Sequence, residues 1–320
     1  MFVESEWARL REVIVGRPFL RIPRPFPRSL RPRLGDHIWS LIKAREGDLL
    51  ADAFPQLQSR VRNEMDEAAS VLRRHGVVVR EVPPFEREEE PGDQEGGFGA
   101  FQYFARDSLL VVGTRVIELA TRGADRYREL LPIRRLLDTV LARRGARRVV
   151  MSPLSPGPER ASRRALLEGG DCLLTPDELF VGLSGHGSNR AGIAWLRRML
   201  RDERALTVVP VASAAVHLDV ALCLVRPGLG IRCRALLPAG VPASLRSWEW
   251  VEVPRRQALE SMAVNCLPID AGTTLVPAGL PRLAEGLTRR GQCVLATPFS
   301  TVIRHAGGLR CWSQPLSRID

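Results

Sequence analysis

The chain predicts an α/β fold in which a ββαβ module recurs about five times around a ring, and three observations carry that expectation. First, tight β-hairpins recur: Asp107 to Leu119 turns at Gly113-Thr114, Asp171 to Leu183 at Pro176-Asp177, Asp219 to Cys233 at Pro227-Gly228, and Asn265 to Val276 at Ala271-Gly272. The starts at 107, 171, 219 and 265 lie 64, 48 and 46 residues apart. Second, helical patterns separate them, each followed by a short strand. Third, a polar residue opens every hairpin, which core filler would not explain, because unpaired buried carboxylates are costly.

In chain order, Arg11 to Gly16 (REVIVG) is the first strand. Pro55 to His75 is an amphipathic helix that precedes Val77-Val78-Val79. Asp125 to Arg144 precedes Val149 to Met151, Asn189 to Arg201 precedes Thr207 to Val211, and Leu280 to Arg290 precedes Cys293 to Thr297. Pro18 to Gly47, with five prolines, is expected to be a long surface loop. Phe85 to Ala100 is acidic, then glycine-rich, and is expected to be a loop beside the site. The whole of 1–320 is expected to be one domain.

Composition narrows the function. Apolar residues make up 45% of the 320, enough for a large core. No run reaches the roughly 18–20 apolar residues of a membrane span, and the N-terminus lacks a signal-peptide core, so a cytoplasmic protein is expected. The six cysteines include no CxxC pair, which argues against a zinc site. Cys172, Cys223, Cys266 and Cys293 fall in apolar runs and are expected to be buried, reduced core residues. The formal charge of +11 permits nucleic-acid binding. Its basic residues are scattered arginines with a single lysine, Lys43, and no aromatic stripe runs among them. Nucleic acid is therefore not the expected partner.

In a ring, the residue opening each hairpin sits near the axis. That places Asp107, Asp171, Asp219 and Asn265 together, with Glu168 and His217 just before two of them and Cys311 starting the closing strand. A thiol, an imidazole and several carboxylates suit a cationic, planar electrophile, and a guanidinium fits best. Carboxylates can clamp its nitrogens while the thiolate attacks its central carbon and the histidine protonates the departing amine. His37 and His75 lack such context and are expected to be structural. His305, six residues before Cys311, is expected to lie outside the chemistry.

These residues resemble the amidinotransferase and arginine deiminase superfamily of guanidine-modifying enzymes over most of the chain. The resemblance runs through Glu6-Trp7-Ala8-Arg9-Leu10-Arg11-Glu12-Val13-Ile14-Val15-Gly16, then Phe104-Ala105-Arg106-Asp107. It continues in order through Glu168-Gly169-Gly170-Asp171, His217-Leu218-Asp219 and Gly307-Gly308-Leu309-Arg310-Cys311. It implies a five-bladed α/β propeller around a central active site, with no metal or organic cofactor. It also implies Cys311 as nucleophile, His217 as acid and base with Glu168 supporting the pair, and Asp107 and Asp219 as guanidinium holders. Asp171 joins the substrate-binding set.

Two branches remain open. Glu168, where the transferases carry aspartate, and the short connection from Val150 resemble the hydrolases. The opening motif, Asn189 to Leu196 (NRAGIAWL) and Leu245 to Glu249 (LRSWE) resemble the transferases. The Gly185-His186-Gly187-Ser188 loop lacks the arginine with which hydrolases hold a substrate carboxylate. The first expectation is a cysteine-dependent hydrolase of a guanidino compound, with arginine, free or embedded, as the model substrate. The alternative is an amidinotransferase with an amine acceptor, and the second alternative is a non-catalytic guanidine- or anion-binding protein. Either a monomer or a homodimer is expected.

Overall fold

The computed structural model describes residues 1–319 except 27, 29, 30, 32–34, 87–100, 124, 142–145 and 152–163. Among the described residues, five three-stranded sheets form, and each joins an antiparallel pair to a third, parallel strand. The second sheet holds β3 (Leu109–Val112), β4 (Arg115–Glu118) and β5 (Arg147–Val150). The third holds β6 (Cys172–Leu174), β7 (Glu178–Leu183) and β8 (Ala205–Pro210). The fourth holds β9 (Leu222–Arg226), β10 (Leu229–Arg232) and β11 (Glu249–Glu252). The fifth holds β12 (Leu267–Asp270), β13 (Thr273–Pro277) and β14 (Cys293–Thr297).

The first sheet closes the ring. Its middle strand, β1 (Leu10–Val15), pairs in parallel with β2 (Val78–Glu81) and antiparallel with β15 (Ser313–Arg318) from the far end of the chain. The fold is a five-bladed α/β propeller. Burial falls outward across each blade: β3, β6 and β15 are buried throughout, whereas β2 and β5 are half-buried to exposed. The inner strands accordingly lack polar alternation and read as continuous apolar runs such as Leu-Leu-Val-Val in β3.

Local sequence explains the connections. The helix Pro55–Arg74 starts on a proline, which fits the first turn because its missing N–H is not needed there. It buries Val61, Met65, Ala68 and Leu72, spaced to line one face. The third-blade helix, Arg190–Leu200, is capped by the Asn189 side chain, which accepts from Gly192 N at 2.8 Å. The fourth blade departs from the ββαβ expectation: β10 reaches β11 through two single 3-10 turns, Arg234–Leu236 and Ala243–Leu245. Pro238, Gly240 and Pro242 fall in this stretch and withhold the amides and backbone stiffness a helix needs.

Two further expectations are corrected. The segment from Pro18 to Gly47 contains the helix Asp36–Lys43, and Ile22, Phe26 and Trp39 form a small core of their own. Apolar contact among those three overrides the loop signal of the prolines. Cys293 is exposed, because it stands on the outer strand of its blade, whereas Cys172, Cys223 and Cys266 are buried. Most of the acidic loop from Phe85 to Ala100 lies outside the described residues. No described helix is long and apolar enough to cross a membrane.

Candidate active site

Each blade delivers polar side chains at the same place, just ahead of its innermost strand. Asp107 stands two residues before β3, and Asn265 two before β12. Single 3-10 turns precede β6 and β9: Gly169–Asp171 carries Asp171 with Glu168 ahead of it, and Leu218–Val220 carries Asp219 with His217 ahead of it. Cys311 was expected to start the closing strand. It lies instead in a one-turn helix, Leu309–Trp312, directly before β15. The turn forms because Gly308 must pass close to Asn265: a Cβ there would fall 2.7 Å from the Asn265 Oδ1. That oxygen accepts from the backbone amides of Arg310 and Cys311, each at 3.0 Å, and fixes the thiol's backbone.

His217 lies between carboxylates. Its Nε2 is hydrogen-bonded to Glu168 Oε2, and its Nδ1 lies 3.5 Å from Asp107 Oδ1. Glu168 is held in turn by the Arg122 amide, which donates to its Oε1 at 2.7 Å. Asp107 accepts from Gly170 N at 3.1 Å and from Arg126 Nη1 at 2.9 Å. Burial opposes a charged imidazole, but Asp107, the Glu168 hydrogen bond and Asp171 outweigh it and hold His217 well above its usual value. His217 is therefore an imidazolium at neutral pH. Asp107 goes the other way: burial pushes it up, and His217 and Arg126 bring it below the usual carboxylate range.

Asp107, Glu168 and His217 each offer a ligand atom within 4.8 Å of one another. Both ring nitrogens already face carboxylates and Arg126 supplies a cation, so an ion pair network describes this trio better than a metal site.

Cys311 lies beside Asp219 and Asn265: its Sγ is 3.6 Å from Asp219 Oδ2 and accepts from Asn265 Nδ2 at 3.2 Å. Burial, then Asp219 and Asp107, push the thiol well above its usual value. The resting pair is therefore a thiol and an imidazolium. Asp219 Oδ1 is buried with no hydrogen-bond partner, an arrangement costly enough to point to a missing ligand.

Asp171 does not fit a substrate-binding role. It is fully buried, and its two oxygens accept from Ser188 N at 2.8 Å and Leu218 N at 3.1 Å. It braces the backbone on either side of His217 instead. Burial pushes it up to about 6 against the pull of His217 and the Ser188 amide. The glycine-flanked loop ending at Ser188 shares this bracing, since Ser188 Oγ accepts from Glu168 N at 3.0 Å. His305 lies apart, packed edge-on against Tyr103, with burial lowering it to about 4. His75 bonds the Val71 carbonyl within its own helix.

Sequence reasoning placed Asn265 at the axis without assigning it a site role, quoted Glu6 and Arg310 only as members of motifs, and did not single out Arg126. Asn265 was recoverable from its register with the other hairpin openings. Arg126 was not, because one arginine among many carries no local signal, and the position of Arg310 beside Cys311 did not show which carboxylates it would bond.

Gly170 offers a test of this packing. A Cβ there would lie 2.6 Å from His217 Nδ1 and 2.9 Å from Asp107 Oδ1. Gly170→Ala is expected to displace the imidazole and lower kcat more than tenfold. Stability should fall by about 1–3 kcal/mol, since side chains must shift. Steady-state kinetics and thermal melts check both.

No protein-family profile matches the chain. A 28% identical relative, inosamine-phosphate amidinotransferase 1 of Streptomyces glaucescens, aligns over 341 residues, covering 97% of this chain and 94% of its own length. Among solved structures, inosamine-phosphate amidinotransferase of Streptomyces griseus superposes with a TM-score of 0.80 at 23% identity, over 100% of this chain and 97% of that one. In sequence and in fold the chain is similar to proteins of the amidinotransferase and arginine deiminase superfamily. A DDAH of Pseudomonas aeruginosa shares the fold with a TM-score of 0.66 at 18% identity, over 96% of this chain and 100% of its own. Two motifs that resemble the transferases meet in the fold, where the Trp7 and Trp248 rings lie 5.7 Å apart.

Proposed function

We propose that this guanidino-group enzyme is an amidinotransferase, which moves an amidino group from arginine or a related guanidine to an amine. The observation that carries the choice over hydrolysis is the 28% identical amidinotransferase aligned over nearly the whole of both chains. Burial supports it, because Cys311, His217 and Glu168 are only 5%, 7% and 4% exposed. A nearly dry nucleophile suits a thioester-like adduct that must survive until the acceptor arrives. Glu168 remains a hydrolase-like feature within this reading.

In the proposed reaction, Asp107 and the unpartnered Asp219 Oδ1 hold the guanidinium. The arriving cation offsets the carboxylates that keep Cys311 protonated, and the thiol proton leaves to solvent. The thiolate then forms a bond to the central guanidinium carbon. As the bond from that carbon to the substituted nitrogen breaks, His217 gives its proton to the departing amine. Thiolate, guanidinium and imidazolium become an S-amidino cation, a neutral amine and a neutral imidazole, so charge balances. The acceptor amine next attacks the same carbon and gives a proton to His217, and the Cys311 thiolate leaves.

Rapid-quench intact-protein mass spectrometry with arginine tests this. The expected result is a Cys311-dependent adduct of amidino mass that persists until an amine is added and then disappears with formation of a new guanidine. An adduct that decays without acceptor, with stoichiometric citrulline, would overturn transfer in favour of hydrolysis.

A further inference from the structure

A fully buried ion cluster stands directly behind the nucleophile. Arg310, the residue before Cys311, is 1% exposed. Its Nε and Nη2 donate to the two oxygens of Glu6 at 3.2 and 3.0 Å, and Nη2 also donates to the Cys172 carbonyl at 2.6 Å. Its Nη1 donates to Asp219 Oδ2 at 3.1 Å, the same oxygen that lies 3.6 Å from the Cys311 Sγ. One guanidinium therefore links the N-terminal segment, the carboxylate beside the thiol and, through the chain, the thiol itself.

We propose that Arg310 is a positioning residue that fixes Asp219 with its free Oδ1 turned to the substrate and offsets its charge beside Cys311, and that Glu6 anchors Arg310 for this task. The proposal rests on the reading of Asp219 as a guanidinium holder.

Three features support it. A planar guanidinium with a bidentate carboxylate on one edge has its remaining N–H groups aimed in fixed directions, so Glu6 sets the angle at which Nη1 meets Asp219. A buried network of this kind is poor evidence for stability, since apolar replacements are often neutral or better. Its contact with the nucleophile's neighbour gives it a functional reason. Finally, Arg106, Arg310 and Arg318 all face Glu6, and Arg310 also opposes the rise that Asp219 and Asp107 impose on the Cys311 thiol.

Of the charged groups that face Cys311, Asp219 and Asp107 raise its pKa and Arg310 lowers it. Arg310 in turn faces Glu6, Asp219 and the Cys223 thiol. Arg106 also supports the turn, its Nε donating to the Arg310 carbonyl at 3.2 Å and its amide to the Cys311 carbonyl at 3.1 Å.

The experiment uses the full chain carrying Cys293→Ser, because Cys293 is exposed and would react. The rate of Cys311 alkylation by iodoacetamide is followed against pH, and KM for arginine is measured alongside. Arg310→Met is expected to move the alkylation profile up by at least about one pH unit, a tenfold slower reaction at fixed pH below it. Arg310→Lys keeps the charge but loses the fork, so its profile should stay near wild type while KM rises about tenfold. Glu6→Gln should raise KM similarly. Folded Arg310→Met and Glu6→Gln proteins with wild-type profiles and KM would overturn the proposal. Where Arg310→Met fails to fold, unchanged KM in both Arg310→Lys and Glu6→Gln overturns it. Asp219→Asn separates the two readings: an unchanged KM there removes the guanidinium clamp, whereas the Arg310→Met alkylation profile reports on Arg310 regardless.

Discussion

Replacing Cys311 by alanine is expected to lower turnover on the order of 10^6-fold, the scale on which a covalent nucleophile acts with its partners as one unit. In the proposed reaction the thiol carries the amidino group between donor and acceptor, so its loss removes the covalent step. The fold should persist. The thiol's partners are Asn265 Nδ2 and Asp219 Oδ2, and each keeps another bond, to the Asp219 carbonyl at 3.3 Å and to Arg310. A stability change of about 1 kcal/mol or less is expected, since only a small buried group is lost beside polar neighbours. Guanidinium affinity should also survive, because the proposed carboxylate clamp is untouched. Turnover assays, thermal melts and calorimetric titration with arginine check these points. Residual turnover above a few per cent of wild type would sink the covalent mechanism.

The ring was legible because its signals are periodic. Tight turns such as Gly113-Thr114 and Pro227-Gly228 mark the hairpins, and the continuous apolar runs of β3 and β9 mark the strands buried on both faces. The register of polar residues at the hairpin openings then places Asp107, Asp171, Asp219 and Asn265 near the axis of the ring. Register alone could not say what each carboxylate bonds. Asp219 and Asp171 look alike in sequence, yet one keeps an unpartnered oxygen and the other gives both oxygens to backbone amides. That difference arises from contacts between blades, Asp171 with the chain at Leu218 and Asp219 with Arg310, which are distant in sequence. The helix Asp36–Lys43 was hidden for a related reason: its support comes from Ile22 and Phe26, on the far side of a proline-rich stretch that masks its period.

The second large effect is expected from Glu168→Gln, which should lower kcat at neutral pH by about 10^2-fold or more. In the wild type, the Glu168 carboxylate is hydrogen-bonded to His217 Nε2 and helps to keep the ring doubly protonated. Glutamine keeps the shape and can still accept from the Arg122 amide, but its NH2 group facing Nε2 favours the neutral imidazole with that nitrogen unprotonated. The variant ring is then neutral, and its remaining Nδ1 proton is a far weaker acid toward the departing amine than an imidazolium proton. Because the folded pKa of His217 lies above its unfolded value, its stabilising contribution is full below about pH 6.5 and is lost as pH rises through the folded pKa. Glu168→Gln should therefore cost most stability near pH 6, and its melting temperature should approach wild type on the alkaline side. In kinetics, the alkaline limb of kcat should move to lower pH, with activity partly recovered by acidifying. Glu168→Asp keeps the charge at shorter reach and should fall between the two. A Glu168→Gln profile with the wild-type alkaline limb would mean that Asp107 and Asp171 alone hold the His217 proton, and that Glu168 serves only to orient the ring.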